Sequence, residues 1–157
     1  MRPRVSAGLL LYRPLPELEV FIAHPGGPLF THKDDGYWSI PKGEVEPGEE
    51  LLATAIREFE EEVGIEVNPS SKFIPLGTIQ QKGGKVVHAW AVEGEIDATH
   101  PLRSNTFTME WPPGSGTLCE FPEIDRAQFF PVAEAKTKLK PAQVPLLDRL
   151  EQKIRKV

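Results

Sequence analysis

The sequence predicts an α/β fold, and three observations carry that expectation. Apolar runs at residues 5–12 and 18–24 are short and bounded by proline-bearing segments, as strands are. Leu52, Ala55, Ile56, Phe59 and Val63 recur at three- and four-residue spacing, the stripe of an amphipathic helix. Residues 72–81 and 85–96 flank Gly83 and Gly84 as the two arms of a β-hairpin.

Taken in order, the elements read as follows. Residues 5–12 and 18–24 form two strands joined by a turn containing Pro14 and Pro16. Residues 24–36 are rich in Gly, Pro and polar side chains and read as a loop. Residues 38–40 form a short strand stopped by Pro41, and 42–48 a loop carrying Gly43, Pro47 and Gly48. The helix covers about 49–63, with Gly64 where a left-handed C-terminal cap belongs. After the hairpin, residues 97–123 hold four prolines and two glycines and read as one long loop, a length that is usually functional in a compact domain. Residues 127–132 form a last core strand, and 132–138 and 142–156 form helices separated by Pro141.

A chain of 157 residues fits one domain with a sizeable core. At 39% apolar and 26% charged it has the composition of a soluble globular protein rather than a disordered one. The single cysteine, Cys119, excludes an internal disulfide framework and a cysteine zinc site, which leads to the expectation of a cytoplasmic protein. The apolar run at 7–12 is too short to span a membrane, and Pro14 and Pro16 interrupt it as a signal peptide. Net charge is −5, and nine of the 23 acids lie between Glu44 and Glu66. A local acidic surplus argues against an extended nucleic-acid groove, but not against a phosphorylated small molecule held through a metal.

Glu58, Glu61 and Glu62 stand at i, i+3 and i+4 of the helix, which puts three carboxylates on one face. Like charges so spaced cost a helix roughly 0.2–0.5 kcal/mol per pair. An isolated acidic face is ordinarily solvated surface. Here it has company at set offsets: Gly43, five residues, Glu49, seven residues, then Arg57-Glu58-Phe59-Glu60-Glu61-Glu62-Val63-Gly64-Ile65. This 23-residue pattern resembles the Nudix box, the signature of the Nudix hydrolases, with Phe59 as the one departure, at a position that is usually aliphatic.

The resemblance implies an α/β/α sandwich around a central mixed sheet and a metal-dependent pyrophosphohydrolase. It implies Mg²⁺ or Mn²⁺ held by Glu58, Glu61 and Glu62 with the backbone carbonyl of Gly43, and a brace between Arg57 and Glu49. Oxygen donors suit these hard cations, and a bidentate guanidinium suits the brace. A fourth carboxylate is expected from outside the box. Glu110, Glu120 and Glu123 are the candidates; Glu123 is preferred because residues 122–129 look like the family's Glu-bearing turn before the last core strand. Whether Glu123, Glu61 or Glu58 serves as general base stays open.

For substrate contacts, Lys42 and Lys85 are the favoured phosphate ligands, with Lys33, Lys82 and Arg103 behind them. Tyr37 and Trp111 are the favoured stacking residues; Trp38 is a further candidate, and Trp90 reads as core. His24, His32, His88 and His100 show no ligand spacing and are expected to be surface or satisfied core residues. Residues 38–49 look similar to dinucleoside polyphosphate hydrolases of the family. The expected substrate is therefore a small-molecule nucleotide, a dinucleoside polyphosphate or a nucleoside triphosphate, with the protein a monomer or homodimer. Two other readings remain: removal of pyrophosphate from the 5′ end of RNA, and a catalytically silent nucleotide sensor. The intact set of glutamates speaks against the sensor.

Overall fold

The computed structural model describes residues 4–96 and 102–155. Its centre is β1 (Val5–Arg13), a strand buried along almost its whole length and therefore apolar at consecutive rather than alternate positions. β2 (Glu19–Pro25), β3 (Lys42–Glu44), β4 (Phe73–Gln80), β5 (Val86–Glu93) and β8 (Ile124–Pro131) complete a six-stranded mixed sheet. Its order is β4-β5-β1-β2-β8, with β3 also on β1. β5 runs parallel to β1 from Val5↔Val86 to Tyr12↔Glu93, and the other pairings are antiparallel.

Three helices cover the two faces: α1 (Leu51–Val63), α2 (Val132–Lys138) and α3 (Val144–Arg155). Alternation along β1 divides the core. Ala7, Leu9 and Leu11 face Ala55, Phe59 and Val63 of α1. Leu10 and Tyr12 face the layer built by Leu139, Leu146, Leu147 and Leu150. The α/β/α sandwich implied by the sequence resemblance is the observed architecture.

The edge of β1 that faces β2 is shared. β2 pairs with its far end only, at Tyr12↔Val20 and Arg13↔Glu19. β3 takes the near end, at Ser6↔Glu44, Ala7↔Gly43 and Gly8↔Lys42. The two strands part, and β3 enters the opening as a wedge. The proline and glycines of 42–48 predicted a loop throughout; the first three of these residues are instead a strand, because the open edge of β1 needs hydrogen-bond partners. Trp38 and Ser39 make only isolated bridges, to Leu139 and Ala23.

The expected loop over 97–123 is the main correction. Residues 97–101 lie outside the described residues. Beyond them, β6 (Thr106–Glu110) and β7 (Leu118–Pro122) form a separate two-stranded hairpin. Phe107, Met109, Cys119 and Phe121 are half-buried on one of its faces, and the intervening positions are exposed. Of the prolines and glycines that suggested a loop, Pro112, Pro113, Gly114 and Gly116 belong to the turn at 111–117, Pro122 ends β7 and Pro101 lies outside the described residues. Among the described residues no helix is long and apolar enough to cross a membrane.

Candidate metal and phosphate site

α1 presents its charged face because its apolar stripe is used by the sheet: Ala55, Phe59 and Val63 are fully buried. The helix ends at Gly64, whose φ of 73° is the left-handed conformation glycine adopts without strain, and whose N–H donates to the Glu60 carbonyl at 2.8 Å. Arg103, a phosphate candidate in the sequence, stacks its backbone here: its N–H donates to the Val63 carbonyl at 3.3 Å.

Arg57 gathers the carboxylates. Its Nε and Nη2 donate to the two oxygens of Glu49 at 2.7 and 2.9 Å, a two-point fork. Its Nη1 donates to Glu58 at 3.0 Å and Glu61 at 3.1 Å. The guanidinium holds the Glu49 carboxyl well below the usual carboxylate range, at about 2. Burial, followed by the charge of Arg57 in the opposite sense, leaves Glu58 raised.

β3 brings Gly43 onto this face. A Cβ at Gly43 would collide with the Glu58 carboxylate, so the absence of a side chain is what lets the backbone of β3 and the carboxylate meet. One residue earlier, the Lys42 N–H donates to Glu62 at 3.2 Å. Glu62 is the deepest of the three glutamates; burial pushes its carboxyl up to about 8, and the charges of Glu58 and Glu123 add to the effect. Glu123 thus lies close enough to bear on both Glu58 and Glu62. It sits at the junction of β7 and β8, where its N–H donates to the Asn105 carbonyl and its own carbonyl accepts from Gly26, both at 2.8 Å. Of the other two candidates, Glu110 accepts from Gly114 within the hairpin turn and Glu120 lies exposed on β7.

A cavity of about 150 Å³ opens beside Glu62, lined by Tyr37, Ser39, Ile40, Lys42, Ile124 and Lys140 among others. A wider cleft of about 790 Å³ continues from it, sharing Tyr37 and Lys140 and adding Gln80, Gln81, Lys82 and Pro141. Burial lowers Lys42 to about 8, with Lys85 and Lys140 adding repulsion. Lys42 and Tyr37 line this cavity, and Lys85 bears on Lys42 from beside it. Lys140 is an addition; its signal was a lysine just before Pro141, indistinguishable in sequence from a helix-end cation. Gln143 is another: fully buried, it accepts from Ile40 N–H and donates to Ser39 Oγ and Gln81 Oε1, each at 2.9 Å, and so fixes the cavity floor.

The aromatic candidates separate. Tyr37 is exposed, with Lys33 Nζ 5.7 Å above its ring. Trp38 is core, edge-on to Phe130 at 5.0 Å, and Trp90 packs against the α1 side. Trp111 sits at the hairpin turn, bonded to Thr117, and lines neither cavity. His24 is a satisfied core residue, wholly buried with both ring nitrogens engaged.

Among the described residues, no three His, Cys, Asp or Glu side chains converge closely enough to hold a metal ion by themselves. The donor set is nevertheless all oxygen, partly buried and mutually repulsive, and a divalent cation that keeps several waters suits such a set.

Comparison with known proteins bears on the family and the fold. A family model described as NUDIX domain matches residues 2–150. The bis(5′-nucleosyl)-tetraphosphatase [asymmetrical] of Rattus norvegicus is 39% identical over 74 residues, 41% of this chain and 48% of that protein. The Mus musculus protein of the same name is 50% identical over 42 residues, 26% of this chain and 29% of that protein. The match thus spans about half the length of the rat relative, and less of the mouse one. A crystal structure of a C. elegans Ap4A hydrolase binary complex superposes with a TM-score of 0.70 at 20% identity, covering 97% of this chain and 99% of that one. The NUDIX domain of Shewanella oneidensis NrtR, complexed with ADP ribose, gives a TM-score of 0.66 at 15% identity over 98% and 90% of the two chains. At these identities the superpositions show the fold.

Proposed function

The chain belongs to the NUDIX domain family, and from that premise we propose that it is a metal-dependent pyrophosphohydrolase acting on dinucleoside polyphosphates or nucleoside triphosphates. The observation that carries the reading is the meeting of Gly43 with Glu58 beneath the Arg57 fork, with Glu62 and Glu123 alongside. The names of the rat and mouse relatives favour the dinucleoside polyphosphate within that class.

The Gly43 carbonyl and the carboxylates of Glu58, Glu61, Glu62 and Glu123 are the residues that would hold Mg²⁺ or Mn²⁺. When bound, the ion neutralises phosphate charge and lowers the cost of forming the nucleophile from water. The chain does the rest. Arg57 orients Glu58 and Glu61, with Glu49 as its anchor. Glu123, beside Glu58 and Glu62, has no side-chain hydrogen bond or ion pair among the described residues, so one of its carboxylate oxygens can face the ion while the other takes the proton of the attacking water. Lys42 and Lys85 hold the phosphate chain, and Tyr37 offers a face to a base.

The test is a substrate panel with Mg²⁺. Dinucleoside tetraphosphate should be cleaved faster than triphosphorylated RNA, and Glu61→Gln should abolish turnover in a folded protein. Faster cleavage of the RNA would transfer the assignment to a 5′-end pyrophosphohydrolase. Nucleotide binding with no turnover on any substrate would identify a sensor.

A further inference from the structure

Three lysines follow one another at two-residue intervals in α2 and its exit, and their surroundings differ. Lys136 is paired with Asp148 at 2.8 Å and Glu151 at 3.2 Å. Lys138 is paired with Asp34 at 2.8 Å and Asp35 at 3.5 Å. Lys140 has no carboxylate within 4.0 Å among the described residues. Its backbone is pinned on both sides: its N–H donates to the Trp38 carbonyl at 2.9 Å, and its carbonyl accepts from Gln143 N–H at 2.9 Å. A half-buried ammonium is thus held in place without an ion-pair contact, with Glu62 of the same cavity attracting it from beyond that distance.

It is not alone. Lys140 and Lys42 line the cavity beside Glu62, and Lys85 bears electrostatically on both. Lys42 and Lys85 also lack an ion-pair partner within 4.0 Å among the described residues. Three converging ammoniums, partly removed from water, exceed the single charge of Glu62 and are unfavourable unless an anionic ligand completes them. In an acidic protein with net charge −5, carboxylates were available for the task, as Lys136 and Lys138 show.

We propose that Lys42, Lys85 and Lys140 form a polyphosphate subsite beside Glu62, and that Lys140 sets a preference for chains of three or more phosphates. The proposal rests on the hydrolase reading for which linkage is cut. A diphosphate has both phosphates engaged at the glutamate platform. Each further phosphate adds about one negative charge beyond it, and the lysine cavity is the adjoining space. The cavity of about 150 Å³ has room for a phosphate group, and the cleft of about 790 Å³ beyond Tyr37 and Lys140 has room for the nucleoside that follows.

The experiment has two arms, using Lys140→Met, which keeps the aliphatic stem, and Lys140→Arg, which keeps the charge. In the first, inorganic tripolyphosphate is titrated calorimetrically into protein free of divalent ions. Lys140→Met should bind about tenfold more weakly and with a shallower salt dependence, and Lys140→Arg should recover most of the loss. In the second, kcat and KM are measured with Mg²⁺ on ADP-ribose and on dinucleoside tri- and tetraphosphates. Lys140→Met should raise KM for the longer chains about tenfold and change that for ADP-ribose less than about twofold. Unchanged tripolyphosphate binding in folded Lys140→Met, or an equal loss on every substrate, overturns the proposal. Lys140-dependent tripolyphosphate binding in a protein that cleaves no dinucleoside polyphosphate upholds the subsite and removes the proposed reaction.

Discussion

His24 Nδ1 lies 2.7 Å from the Asp125 carboxylate, and its Nε2 donates to the Lys33 carbonyl at 2.6 Å. A wholly buried ring therefore ties the end of β2 to the loop before Tyr37 and to the start of β8, two residues after Glu123. His24→Phe fills the space but leaves a carbonyl and a carboxylate without their partner. It should cost about 1–3 kcal/mol of stability in urea unfolding. A loss below that range would show that water replaces the ring without penalty.

Gly43→Ala should damage the site while sparing the fold. The added methyl meets the Glu58 carboxylate rather than the core, so the carboxylate must move. We expect Mn²⁺ affinity and kcat/KM to fall about 10–100-fold, with the unfolding midpoint little changed. Wild-type Mn²⁺ affinity in this variant would contradict the placement of Gly43 at the ion.

Arg57→Lys keeps a positive charge but cannot reproduce the fork to Glu49 together with bonds to Glu58 and Glu61. Activity should fall about 10–100-fold, and a Mg²⁺ titration should show the loss as weaker ion binding. If the loss persists at saturating Mg²⁺ with ion binding unchanged, the guanidinium contacts substrate instead.

Two carboxyls with opposite shifts give separate pH windows. Glu49 is depressed to about 2 by Arg57, so its contribution to stability is present above the ordinary carboxyl value of 4.5 and is lost as pH falls toward 2. Glu62 is raised to about 8, so the ion-free folded protein binds more protons than the unfolded chain between 4.5 and 8. Through Glu62, stability should therefore decline as pH rises across that window. Urea unfolding of Glu49→Gln against wild type should show a difference that shrinks only below pH 4.5. Unfolding in chelator should show the decline at higher pH, and Glu62→Gln should remove it.

Saturating Mg²⁺ should stabilise the protein, by about 2.7 kcal/mol at a hundredfold excess over the dissociation constant. Glu58→Gln should lose most of that gain, read as the shift in melting temperature with and without the ion. An identical shift in wild type and variant would place the ion elsewhere.

Much of this was legible in the sequence because local spacing determines it. The i, i+3, i+4 glutamates, the stripe of Ala55, Phe59 and Val63, and the cap at Gly64 are properties of one helix. β3 was not legible, since it is a strand only because β1 and β2 diverge and leave an edge to fill. Nor was the β6–β7 hairpin, whose turn prolines outweighed two short alternating runs. Lys140 and Gln143 reach the cavity through the packing of the α2–α3 connection, which no periodicity encodes. Trp111 has turn composition and a stacking ring, but its hairpin stands apart from the central sheet.

The wedge of β3 into the edge of β1 has one more consequence. Gly43 is hydrogen-bonded into the most buried strand of the protein, and α1 is packed on that strand's other residues. Amide exchange at the site should then report opening of the whole sheet rather than of a hinge or flap. Heat inactivation and loss of tertiary structure should coincide. The activity proposed above would then have little scope to be dimmed by partial melting.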